Sequence, residues 1–215
     1  VLRGHRGCVN SVLFSDNGEF IYTGSDDTRI NIYTTHSGEL VSSIPTIHTQ
    51  NIFYAKDFPQ QSNMVDYLLS CGADGKVILT NIQRSQSLPR HSNSTQTRIG
   101  SGKLLYRHQG RSHRISMIPG EPYHFFTCGE DGMCCLFDLR DKMQNLFGNY
   151  DNLPVQEELQ SQLERNQLPV LKIQFRPRLL SANMSSVSRD LQDRAPQSAY
   201  CIGVNPFHPY EVAVG

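Results

Sequence analysis

Thr23-Gly24-Ser25-Asp26-Asp27 returns, slightly altered, as Ser70-Cys71-Gly72-Ala73-Asp74 and again as Thr127-Cys128-Gly129-Glu130-Asp131. In each copy a hydroxyl residue stands four positions before the last aspartate. A histidine lies upstream (His5, His48, His108), and a short apolar run lies downstream. Asp27, Asp74 and Asp131 are 47 and then 57 residues apart. A recurrence at this period sets the architecture before any single residue does, because each repeat is a unit that cannot bury its apolar face alone. The arrangement expected is a stack of small sheets, a form suited to holding partners.

Working outward from the first copy, the unit resolves into strands and turns. Val9 to Phe14 is an apolar-rich run of strand length, and Asp16-Asn17-Gly18 supplies a turn. Phe20 to Thr23 is a second strand, and Arg29-Ile30-Asn31-Ile32-Tyr33 alternates as a third. Leu40 to Ile44 gives a fourth. The second unit runs from His48 through Asn51–Ala55 and Tyr67–Ser70, then turns at Asp74-Gly75 into Val77–Thr80. The third runs from His108 through Ile115–Ile118 and His124–Thr127, then turns at Asp131-Gly132 into Cys134–Phe137. Ala199 to Gly215 reads as two strands around a Pro-bounded turn, with Gly215 aligned on Gly24.

These units predict an all-β chain of about three propeller blades plus the start of a fourth, a fragment of a larger closed ring. The expected division is blade 1 over 1–45, blade 2 over 46–84, a polar loop over 85–101 and blade 3 over 102–143. An insertion over 144–198 follows, and then a truncated blade over 199–215. Within the insertion, Val155, Leu159 and Leu163 are spaced four apart, as in a short amphipathic helix. Ser181 to Ser198 is polar and Ser-rich and reads as disordered, and the polar stretch Ser85 to Ser101 reads as a flexible loop.

Composition bounds the function. The 215 residues carry a formal net charge of +0 and are 38% hydrophobic, which gives no support for nucleic acid or an acidic membrane as the main partner. No apolar run reaches the roughly 18 residues of a membrane-spanning helix. The six cysteines include no C-x-x-C pair, so neither a zinc site nor a disulfide framework is expected. An intracellular setting, nucleus or cytoplasm, follows from that reading. No nucleotide-binding, metalloprotease or nucleophile-elbow motif is found, so no enzyme activity and no cofactor are expected. The basic cluster Arg107, His108, Arg111, His113 and Arg114 has one flanking aromatic, Tyr106. It suits an acidic partner at least as well as nucleic acid.

The Gly4-His5 pair, the turn aspartates and the strand pattern resemble the WD40 repeat family over Val1 to about Met143. That resemblance implies a seven- or eight-bladed propeller. It also implies a structural network within each blade, here His5, Thr23, Asp27 and Tyr33, then His48, Ser70 and Asp74 with Thr80, then His108, Thr127 and Asp131 with Phe137. The family's tryptophan donor is absent, because the chain has no tryptophan. Tyr33 retains a hydroxyl donor and Phe137 has none, so the third network is expected to be the weaker.

Leu136-Phe137-Asp138-Leu139-Arg140 is similar to the W-D-x-R box of the WD40 substrate receptors of cullin-4 RING ubiquitin ligases. The resemblance implies docking on the ligase adaptor through Phe137, Asp138 and Arg140, with an unidentified substrate protein held elsewhere. Gly7-Cys8-Val9-Asn10, Gly24 to Thr28, Asn51-Ile52-Phe53 with Ala55-Lys56, and Pro122-Tyr123 with Cys128 to Gly132 look like the nuclear receptor interaction protein branch of these receptors. That branch implies substrate recruitment for ubiquitination and coactivation of nuclear receptors. The second reading is a generic interaction scaffold with no ligase link.

Overall fold

The computed structural model describes residues 1–58, 65–83, 102–140, 169–174, 198–208 and 211–215. All regular structure among them is β-strand. The first sheet holds β1 (Val9–Phe14), β2 (Phe20–Ser25), β3 (Arg29–Thr34) and β4 (Leu40–Pro45). The second holds β5 (Ile52–Phe58), β6 (Val65–Gly72), β7 (Lys76–Gln83) and β8 (Gly102–Arg107). The third holds β9 (Ser112–Ile118), β10 (Glu121–Gly129), β11 (Met133–Asp138) and β12 (Leu171–Gln174). A hairpin of β13 (Ile202–Val204) and β14 (Val212–Val214) follows. Each four-stranded sheet is an antiparallel meander in chain order.

Two boundaries differ from the sequence reading. Gly102–Arg107 opens no third unit. It pairs with β7, Lys76 against Arg107 and Val77 against Tyr106, and so closes the second sheet. Leu171–Gln174, placed in the insertion by the sequence, pairs with β11 and completes the third sheet. An outer strand is defined by the edge it covers, and that edge can be reached after a long excursion. The helix expected over Pro154–Leu163, the loop over Ser85–Ser101 and, up to residue 197, the stretch from Ser181 lie outside the described residues.

The sheets pack face to face, and the period of two along a strand explains how. In β6, Leu68 joins a core with Tyr22, Ile30, Ile44 and Ile52 of the first two sheets. Its neighbour Leu69 joins a core with Phe125, Cys135 and Phe137 of the third. In β10, Phe125 faces the second sheet while Phe126 packs with Ala199 and Ile202 beside the hairpin. The inner strands of the second and third sheets thus serve two cores at once. Four of the cysteines, Cys71, Cys128, Cys134 and Cys135, are buried in these layers as free thiols. Burial pushes Cys128, Cys134 and Cys135 up to about 12, so they remain protonated apolar filler.

Candidate interaction site

The repeated aspartates sit in the turns between the second and third strands of each sheet. A carboxylate can only accept, so it collects the donors that the turn leaves unpaired. Asp27 accepts the backbone N–H groups of Arg6 at 2.9 Å and Arg29 at 3.1 Å, and His5 Nδ1 lies 3.0 Å from it. Asp74 accepts from the Thr49 N–H at 2.8 Å and the Lys76 N–H at 3.1 Å, with His48 Nδ1 at 3.0 Å. Asp131 accepts from Gln109 at 2.9 Å and Met133 at 3.1 Å, with His108 Nδ1 at 3.0 Å. On the far side of each ring, Nε2 meets a hydroxyl: Thr23 at 2.7 Å, Ser70 at 3.0 Å and Thr127 at 3.0 Å. A proton on Nδ1 donates to the carboxylate, and Nε2 shares a hydrogen bond with the hydroxyl, so each ring links the turn to the strand.

Burial raises each of these three carboxyls, but the histidine and backbone donors outweigh it. Asp27, Asp74 and Asp131 are all held below the ordinary carboxylate value. The structure therefore brings together His5, Thr23 and Asp27, then His48, Ser70 and Asp74, then His108, Thr127 and Asp131.

The fourth member expected for each set does not join. The Tyr33 hydroxyl reaches past Thr23, donates to the Arg3 carbonyl at 3.2 Å and accepts from Asn31 Nδ2 at 3.1 Å. A phenol extends farther from its strand than the hydroxyl it was expected to meet. Thr80 Oγ1 is buried with no hydrogen-bond partner among the described residues. Phe137 has no donor at all. No set gains a donor from its fourth position, so the third is not singled out as the weak one.

At the other end of β11 the box takes shape. Phe137 is fully buried, stacked on Phe125 with centroids 4.9 Å apart and edge-on to Tyr106. This corrects its expected role, because a fully buried ring cannot touch a partner. Phe137 holds the strand end in place. Leu139 is also buried, and its N–H donates to the Tyr123 carbonyl at 3.1 Å. Alternation then leaves Asp138 and Arg140 together at the surface, with side chains 23% and 58% exposed.

Arg140 Nε donates to both Asp138 oxygens at 3.1 Å, and Nη2 donates to Oδ2 at 2.6 Å. The Arg140 N–H adds a bond to Oδ1 at 3.0 Å. The Arg140 fork, against partial burial, brings the Asp138 carboxyl down to about 2. His124 stands opposite Asp138 in the ladder, with Nε2 3.2 Å from Oδ2 and Nδ1 3.1 Å from Glu121 Oε2. Glu121 and His124 were not singled out by the sequence reading. Counting the register back from the Asp131-Gly132 turn would have paired His124 with Asp138.

The basic cluster is divided. His108 belongs to its triad. The Arg114 guanidinium lies 5.2 Å from the Tyr54 ring centroid. His113 stacks on Phe53 and pairs with Glu130 at 3.2 Å. Arg107 and Arg111 stay at the surface.

With the triads and sheets in view, the first repeat matches a known family. Residues 1–34 fit the family model described as WD domain, G-beta repeat. The chain carries a WD40 repeat. Its three four-stranded antiparallel sheets are laid out as the blades of a partial β-propeller. It is 35% identical over 141 residues to the human "DDB1- and CUL4-associated factor 6", covering 66% of this chain and 15% of that protein. It is 35% identical to the Arabidopsis thaliana "Protein ALTERED SEED GERMINATION 2" over 65% of this chain and 18% of the relative. The Schizosaccharomyces pombe "WD repeat protein iqw1" is 34% identical over 65% of this chain and 17% of its own length. The chain thus spans less than a fifth of each of these curated relatives. Among solved structures, the crystal structure of the WD40 beta propeller domain of Doa1 aligns with a TM-score of 0.44 and 21% identity, over 64% of this chain and 38% of that one.

Proposed function

We propose that this WD40 chain is a non-catalytic substrate receptor that docks on the adaptor of a cullin-4 RING ubiquitin ligase and presents a partner protein for ubiquitination. The observation that carries the reading is the Asp138–Arg140 fork, fixed at the end of β11 by His124 below and by buried Phe137 and Leu139 behind. Arginine suits docking because its planar fork can donate several hydrogen bonds and its charge needs no tuning. The corresponding segments Thr34-Thr35-His36 and Asn81-Ile82-Gln83 lack both residues. The name of the human relative, a factor associated with DDB1 and CUL4, supports the same assignment. The reading places the protein in the nucleus or cytoplasm, where nuclear receptors would be among the partners it serves.

One observation favours the plainer scaffold reading: Arg140 is already engaged by Asp138, as in an ordinary strand-end ion pair. Co-purification separates the two. Full-length protein should retain DDB1, and Arg140→Ala should lose most of it while the melting temperature stays the same. Undiminished recovery of DDB1 with the Arg140→Ala variant would leave only the interaction scaffold.

A further inference from the structure

The turn after β8 is pinned by hydrogen bonds and close packing. The His108 N–H donates to the Gly75 carbonyl at 2.9 Å, Gln109 N–H to Asp131 at 2.9 Å, and Glu130 N–H to the Arg111 carbonyl at 2.9 Å. Gly110 lies so close to the next turn that a Cβ there would stand 2.9 Å from Glu130 Cβ. Two cavities flank this turn, of about 520 and 490 Å³, and Gln109, Gly110 and Glu130 line both. Together they form a trough that crosses the joint between the second and third sheets. The first cavity is also lined by Arg107 and Arg111, the second by Lys172.

The accessible charge of this trough is one-sided, because its carboxylates are engaged within the fold. Asp74 and Asp131 reach its walls, but their side chains are 2% and 7% exposed, the first saturated by His48, Thr49 and Lys76 and the second by His108, Gln109 and Met133. Glu130 is taken by His113 at 3.2 Å and approached by Arg111 at 4.0 Å. Arg111 remains 60% exposed. Arg107 is exposed and makes no ion pair among the described residues. The Lys172 ammonium rests 4.9 Å from the Tyr106 ring centroid, a contact that leaves its charge available.

We propose that this trough binds an acidic, extended segment of a partner protein, with carboxylates on Arg107 and Arg111 and a further one toward Lys172. Separated cations match the carboxylates that one face of an extended acidic strand presents at every second residue, and Glu130 between them opposes a continuous phosphate backbone. The pinned turn means that little ordering is needed on binding. The site lies at the start of β11, and the Asp138–Arg140 fork lies at its end, about 20 Å away by strand rise. The inference goes beyond adaptor docking and does not depend on it.

Fluorescence anisotropy on the full-length protein tests it with labelled hexaglutamate, hexalysine and an oligothymidylate. Hexaglutamate should bind, and more weakly as salt is added. Arg107→Glu combined with Arg111→Glu should weaken it by about tenfold or more. Gln109→Glu, at an exposed side chain that takes no part in the pinning, should act in the same direction if the double variant folds poorly. Asp138→Ala with Arg140→Ala should leave hexaglutamate binding unchanged. Absence of hexaglutamate binding, equal binding of hexalysine, tighter binding of oligothymidylate, or indifference of folded charge-reversal variants would each overturn the proposal.

Discussion

Thr80 places a hydroxyl in a fully buried position with nothing to bond among the described residues. Its neighbour in the scheme, Ser70, is already engaged by His48. Removing an unsatisfied buried hydroxyl while keeping the shape returns its desolvation cost, so Thr80→Val should stabilise the protein by about 1 kcal/mol in urea unfolding. The triad carboxylates carry a pH signature of defined sign. Their folded values lie below the ordinary 3.8, so the unfolded chain binds more protons in acid. Their contribution is fully present above about pH 4 and drains away as the pH falls below that. Asp74→Asn should lower stability at neutral pH and flatten the loss between about pH 4 and 2, measured by urea midpoints across that range. The triads were legible in the sequence because each role repeats at a fixed offset. The Tyr33 partners were not, because the reach of a phenol depends on which backbone segment passes its tip.

The turn after each triad aspartate needs a left-handed residue. Gly75 and Gly132 adopt φ of 74° and 70°, and Thr28 is forced to 61° at the same place in the first sheet. A β-branched residue pays for that conformation, so Thr28→Gly should raise stability by about 1 kcal/mol or less, after the entropy loss of glycine is set against it. The reverse change is harsher. A Cβ on Gly75 would stand 2.5 Å from the Gly110 carbonyl oxygen and 2.6 Å from that of His108. Gly75→Ala should therefore cost about 2 kcal/mol or more and lower the thermal midpoint. At this scale the inner strands were readable from alternation and turn residues. The outer strands β8 and β12 were not, since an edge strand is assigned by its partner across a gap and its own pattern carries little information. Close packing also explains a substitution within the motif. At Gly24 a Cβ would meet Ile52 Cγ2 at 2.6 Å, whereas Cys71 and Cys128 fill the equivalent positions in the second and third sheets.

Across the whole molecule, the fold was legible as a stack because its period is long and its turns are alike. The candidate site was legible only in part. Asp138 and Arg140 stand two apart in sequence, on one face of a strand end, but the trough is assembled from two sheets, the third of them completed by the sequence-distant β12. Leu68 and Leu69 are adjacent along β6, yet they lean into separate cores, as do Phe125 and Phe126 along β10. The second and third sheets are therefore each bonded to a neighbour on either side, and neither can open without uncovering both. Amide hydrogen exchange should report this as shared protection: β6, β7, β10 and β11 should open last and at nearly one free energy, while β1 and the β13–β14 hairpin exchange first. A loosening substitution such as Leu68→Ala should then speed exchange in β2 and β3 as well as in its own strand, carrying the damage sideways from one layer to the next.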